Sequence, residues 1–142
     1  KAHSDAAVPV ELLDYVASAD LATHLMSADV HLASLEPSWD GTMVSSKLQG
    51  SFAVGRPVLF VGTETCSIGR WIIGCEGGWV VAPGDVPALR RAMAEACDRE
   101  ERQRRGVNAK RFAKEQFDRE INATNVAKLL TQGQKLEAGH WF

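Results

Sequence analysis

The sequence predicts an α/β fold, a Rossmann-like parallel sheet flanked by helices, on three observations. Short apolar runs alternate with segments of helical period, in the order strand, helix, strand, helix. The run Pro57-Val-Leu-Phe-Val61 is apolar throughout, as a strand covered on both faces has to be. Turn residues follow the runs where a strand must end, at Asp40-Gly41, Gly62 and Pro83-Gly84.

Val8 to Leu13 is aliphatic and β-branched and is expected as a first strand. Asp20 is placed to cap a short helix to Ala28, with Leu21 and Leu25 four apart on its apolar side. Val30 to Leu35 follows as a strand. Thr42 is then expected to cap a helix to about Val54, with Val44, Leu48 and Phe52 as its buried stripe and Gly55 as its C-terminal stop. After the strand at 57–61, Ser67 to Ile73 is expected as a helix closed by Gly74, and Trp79 to Ala82 as the next strand. Asp85 and Pro87 open a helix with Leu89, Met93 and Ala96 inward. Arg99 to Gln116 is a charged helix with Phe112 inward, and Asp118 caps a last helix to about Leu130. The expected domain is 1–130, and 131–142 has no period and is expected as a tail.

The 142 residues are 45% hydrophobic and 24% charged, enough for one globular domain with its own core. A formal net charge of −2 excludes a chain that binds nucleic acid through its overall charge. Residues 99–120 carry eight Lys/Arg against five Asp/Glu, the pattern of a solvated helix face. Cys66, Cys75 and Cys97 are odd in number and widely spaced, which fits reduced thiols better than a disulfide framework or a metal site. Lys1 to Asp5 is polar and has no signal-peptide pattern, and no run approaches the ~20 apolar residues of a membrane helix. The expected location is cytoplasmic.

Ligands of open parallel sheets bind beyond the carboxyl ends of the strands, here the loops after Leu13, Leu35, Val61 and Ala82. The loop from Glu36 to Leu48 carries the most chemistry. Gly41 lets a ligand approach the backbone. A helix starting at Thr42 would offer the amides of Thr42, Met43 and Val44 and the positive end of its dipole to a phosphate. Ser46 adds a hydroxyl, Lys47 an ammonium one turn in, and Gly50 open space beyond it. The spacing is not that of a P-loop. Asp85 already occupies the start of its helix and reads as a cap. His3, His24, His31 and His140 have no catalytic or metal partner at suitable spacing. Trp39 and Trp79 read as core or pocket wall. A phosphorylated receiver domain would need an acidic cluster at a strand end, and the loop after Val61 offers only Thr63 and Glu64.

Several segments, in order, resemble the C-terminal domain of group 1 (family 4) retaining glycosyltransferases of the bacterial polysaccharide type. They are Val10-Glu-Leu-Leu-Asp-Tyr-Val16 with Asp20-Leu21, Met26-Ser-Ala-Asp-Val-His-Leu32, Ser46-Lys47-Leu48, Ala53-Val-Gly-Arg-Pro-Val58, Gly77-Gly-Trp-Val-Val-Ala-Pro-Gly-Asp85, and Arg111-Phe112 to Phe117. The resemblance covers roughly residues 8–130. It implies the C-terminal half of a GT-B fold, truncated at its N-terminus, that binds a nucleotide diphosphate sugar as donor, with no metal and no resident cofactor. Thr42 and Lys47 would face the diphosphate, and Tyr15 and Val16 would lie near the base. A sugar or lipid-linked acceptor would be held by the missing N-terminal domain, the full-length protein would associate peripherally with a membrane, and this fragment alone would be inactive. Nucleic acid is not expected as a partner. Many relatives carry two Glu separated by seven residues on this helix, and Thr42 and Gly50 stand at those positions here. The alternative expectation is therefore a degenerate, non-catalytic α/β module that binds a protein partner.

Overall fold

The computed structural model describes residues 11–43 and 46–132. Three parallel strands form one sheet in the order β1 (His31–Ser34), β2 (Val58–Val61), β3 (Gly78–Val81). His31 pairs with Val58 and Val58 with Gly78, so the three strands start level. The helices are α1 (Leu21–Met26), α2 (Ser46–Ala53), α3 (Ser67–Cys75), α4 (Val86–Cys97), α5 (Arg99–Gln116) and α6 (Arg119–Gln132). Pro37–Trp39 forms a single 3₁₀ turn.

Side chains of a strand alternate between faces, and that alternation divides the core in two. Val58 and Phe60 point to one face, where they meet Leu48 and Phe52 of α2, Ile68 and Ile72 of α3, and Ala109 and Ala113 of α5. Leu59, Trp79 and Val81 point to the other, against Ala92 of α4. Full burial of residues such as Phe52, Phe60 and Ile72 contributes roughly 1.5–3 kcal/mol each. A one-residue slip in β2 would move Phe60 to the wrong face, which holds the register. Phe112 and Phe117 extend the first core edge-to-face, with ring centroids 5.5 Å apart, and Trp71 sits 5.3 Å from Phe117.

α5 crosses the end of α2 more closely than ordinary side chains permit. Gly55 ends α2 with φ +75°, and its carbonyl oxygen lies 2.4 Å from where a Cβ on Gly106 would stand. Arg105, one residue earlier, ties α5 to the sheet. Its guanidinium donates to the Gly78 carbonyl, pairs with Glu101 at 2.8 Å and stacks 4.6 Å from the centre of the Trp79 ring. Trp79 in turn donates through Nε1 to Glu95 of α4 at 2.9 Å.

Most expected elements are present, with particular differences. Residues 11–13 form no strand, and Leu12 is 93% exposed; residues 8–10 lie outside the described residues. An aliphatic run becomes a strand only where a neighbour takes its backbone hydrogen bonds, and no described strand pairs with it. Gly74 does not close α3. The helix continues to Cys75, whose side chain packs on the core, and Glu76 takes the left-handed position (φ 52°) with its carboxylate 2.6 Å from Arg104. On α4 the inward stripe is Ala88, Leu89, Ala92 and Ala96, and Met93 is exposed. α6 runs to Gln132, and 133–142 lie outside the described residues. Asp85, Asp98 and Asp118 each accept an amide of the following helix, as a cap does. The thiols are free: Cys66 buried, Cys75 half-buried, Cys97 exposed. Burial pushes the Cys75 thiol up in pKa.

Two outcomes follow from these contacts. Gly106→Ala gains helix propensity of ~1 kcal/mol, but its methyl meets a backbone oxygen that has no rotamer to give. Net destabilisation of about 1–3 kcal/mol is expected in urea unfolding; a variant as stable as wild type would show that the two backbones do not approach so closely. Bonds from Arg104, and then Arg105, hold the Glu101 carboxyl at about 2, below its ordinary 4.5. Its contribution is therefore present above about pH 4.5 and fades as pH falls toward 2. The stability gap between wild type and Glu101→Gln should close over that window, and a gap independent of pH would contradict the pairing.

Candidate functional site at the carboxyl edge of the sheet

Each of β1, β2 and β3 is followed by a helix, so the N-termini of α2, α3 and α4 gather at the edge where the strands end. The loops after β1 and β2 are adjacent there because their strands are paired. Leu35 donates its amide to the Val61 carbonyl at 3.0 Å, and Gly62 to the Val81 carbonyl at 3.0 Å. Beyond these bonds the Thr63 hydroxyl donates to Oδ2 of Asp40, which joins the two loops through side chains. The other carboxylate oxygen, Oδ1 of Asp40, is buried with no hydrogen-bond partner among the described residues. A buried acceptor left unsatisfied costs roughly 1–3 kcal/mol. The carboxylate is thus a strong acceptor for a hydroxyl that enters beside it.

Asp40 lines a shallow cavity of about 380 Å³ with Gly41, Thr65, Cys66, Ser67 and Arg70. Gly41 is left-handed (φ +79°), and a Cβ on it would meet nothing within 4 Å among the described residues. Cys66 caps α3: its sulfur accepts from the Gly69 amide at 3.3 Å, while its S–H donates to the Thr63 carbonyl at 3.1 Å. The positive end of α3 and the Arg70 guanidinium one turn in thus border the same cavity as Asp40. Chemically the arrangement offers a carboxylate for hydroxyls and a helix start with a cation for an anion.

Of the residues singled out in the sequence, Gly41 lines this cavity. The helix expected from Thr42 does not include Thr42 or Met43, and its described part is Ser46–Ala53. Both the amide (3.1 Å) and the hydroxyl (2.8 Å) of Thr42 donate to the Trp39 carbonyl, which engages one of the three amides expected to receive phosphate. Met43 is half-exposed and outside the helix, and Val44 lies outside the described residues. Ser46 and Lys47 are exposed at the N-terminal end of the described part of α2. Gly50 does not leave open space: a Cβ there would stand 3.1 Å from Leu25 of α1, so its lack of a side chain serves helix packing. Tyr15 and Val16 lie in an exposed irregular segment, Tyr15 fully exposed. Trp39 is also exposed, whereas Trp79 is core. His31 is structural: its Nε2 meets the Leu25 carbonyl at 2.9 Å, and burial lowers its pKa.

Asp40, Thr63, Ser67 and Arg70 were not among the expected site residues. Their sequence signal was positional, since both loops follow strands that pair, but no spacing in the chain announces the bond between Thr63 and Asp40. Among the described residues no group of three or more His, Cys, Asp or Glu is placed to hold a metal ion, and no helix is long and apolar enough to cross a membrane.

No protein-family model matches the chain, and no solved structure does. It is similar to a probable glycosyltransferase, WbjE, of Pseudomonas aeruginosa, with 36% identity over 74 residues. That segment is 52% of this chain and 18% of the relative, so the chain matches less than a fifth of that protein. Over half of its length, then, this α/β chain is similar to part of a probable glycosyltransferase.

Proposed function

We propose that the chain is the donor-binding half of a retaining glycosyltransferase of the GT-B fold, taking a nucleotide diphosphate sugar at the carboxyl edge of its sheet. The observation that carries this reading is the pairing of two chemistries in one place. Asp40 has a buried carboxylate oxygen without a partner among the described residues, suited to a ribose or sugar hydroxyl. The start of α3, with Arg70 on the same cavity, is suited to the diphosphate, and α2 with Lys47 follows β1 at the same edge of the sheet. The similarity to a probable glycosyltransferase supports the same reading.

Binding comes from these groups, and so does the assistance to transfer. As the bond from the sugar to the diphosphate breaks, negative charge grows on the leaving phosphate. Amides and cations already aimed at that charge stabilise it without reorganising. Asp40 would hold a hydroxyl on the sugar side, away from the phosphates it repels. The acceptor, surface polysaccharide or another glycoconjugate, would come to the N-terminal partner domain of a full-length, cytoplasmic and peripherally membrane-associated protein. No metal is needed, because the cations are supplied by side chains.

The second reading, a non-catalytic module for a protein partner, is favoured by Thr42 and Gly50 standing where relatives of the resembled family carry Glu, and by the exposed Leu12, Tyr15 and Leu32. Calorimetric titration of the intact chain with nucleoside diphosphates separates the two. Saturable binding is expected. Loss of a charge-assisted bond in Lys47→Ala or Asp40→Asn should weaken it about tenfold or more. No heat at millimolar ligand, or affinities unchanged in both variants, would leave the second reading standing.

A further inference from the structure

The opposite edge of the sheet carries a separate constellation. Helices α1 and α2 end there, just ahead of β1 and β2, and α4 ends beside the start of α5. Helix C-termini are partially negative and draw cations. Arg56 donates through Nη2 to the Met26 carbonyl at the end of α1. Arg102 donates through Nη1 to the carbonyls of Ala96 (2.8 Å) and Cys97 (2.7 Å) at the end of α4. Both guanidiniums are thereby fixed in place with other N–H groups left over.

These two arginines line one cavity with Arg99 and Lys110 of α5. Its volume is about 610 Å³ and its floor is the crossing of Gly55 and Gly106. Arg99 and Lys110 make no ion pair or side-chain hydrogen bond among the described residues, and neither Arg56 nor Arg102 pairs with a carboxylate there. Nε of Arg56 is buried without a partner among the described residues. Asp29 is the single carboxylate on the lining. Helix capping accounts for one nitrogen each of Arg56 and Arg102. It accounts neither for the orphaned Nε nor for two more cations on the same wall.

We propose that this cavity binds a phosphoryl oxyanion, either free phosphate or the phosphate of a lipid headgroup. Four cations against one carboxylate suit a multiply charged anion. Guanidiniums held rigidly by carbonyls present planar forks that match a tetrahedral oxyanion and lose little freedom on binding. The volume exceeds that of phosphate alone, which leaves room for what the phosphate is attached to. The site is independent of the donor reading, since it lies before the strands and Gly41 lies after them.

Titration of the intact chain with inorganic phosphate, followed by amide NMR, tests it. The Gly55 and Gly106 amides are expected to shift and saturate. Arg99→Gln with Lys110→Gln, both at exposed positions, should weaken binding about tenfold, and Asp29→Asn should strengthen it. Flotation with phosphatidylcholine vesicles, plain or doped with phosphatidic acid, separates the sources. Recruitment only by doped vesicles, lost in the double variant, identifies a headgroup; saturable free phosphate without recruitment identifies a soluble anion. Shifts confined to Gly41 and Ser67 would overturn this proposal and leave the donor site intact. So would a double variant that binds like wild type, or a chain that binds neither probe. Failure of nucleoside diphosphates to bind would bear only on the donor reading.

Discussion

The close crossing of α2 and α5 is the constraint on which the rest of the molecule depends. Two glycines make it possible, Gly55 by turning left-handed at the end of α2 and Gly106 by presenting no side chain to its carbonyl. With that contact made, α5 reaches α2, α3, α4 and β3 from a single helix. Ala109 and Ala113 then close the core over Phe52 and Ile72, and Arg105 is delivered to Gly78 and Trp79. A larger residue at 106 would push α5 outward and loosen each of these at once. The crossing also fixes where α2 ends, and hence where its other end meets the loop that carries Asp40.

The two edges of the sheet are electrically different for one reason. Helices that follow parallel strands all point the same way, so their positive ends collect after the strands and their negative ends before them. After the strands the chain sets polar side chains, Asp40, Thr63 and Arg70, around helix starts. Before them it sets Arg56 and Arg102 on helix-terminal carbonyls. Each edge also contains a buried polar atom without a partner among the described residues, Oδ1 of Asp40 at one and Nε of Arg56 at the other. Each atom is left for a ligand group of the opposite hydrogen-bonding character, a donor at Asp40 and an acceptor at Arg56.

Much of the fold was legible because it rests on local physics. The apolar runs at β2 and β3, the Asp caps of α4 and α6 and the Gly55 stop are each written in a few neighbouring residues. α5 was legible to its end residues. What failed depended on partners distant in sequence. Residues 11–13 have strand propensity but no described strand beside them. α3 passes Gly74 because Cys75 packs inward, and Glu76 takes the left-handed position beside Arg104. Of the candidate cavity, the sequence marked the loop after β1 and, among its lining residues, Gly41. The surroundings of Thr42 and Gly50 were not legible, because the bond from the Thr42 hydroxyl depends on the turn back to Trp39 and the Leu25 contact on a different helix.

The central claim is that a nucleotide diphosphate sugar binds at the carboxyl edge, with its phosphates toward α2 and α3 and a hydroxyl on Asp40. A crystal structure of the intact chain soaked with a nucleoside diphosphate tests this most directly. The account predicts density against the first turns of α2 and α3, with a ligand hydroxyl within hydrogen-bond distance of Asp40 Oδ1. Density at the opposite edge with none at Asp40, or a carboxyl edge left unchanged at saturating ligand, would contradict it.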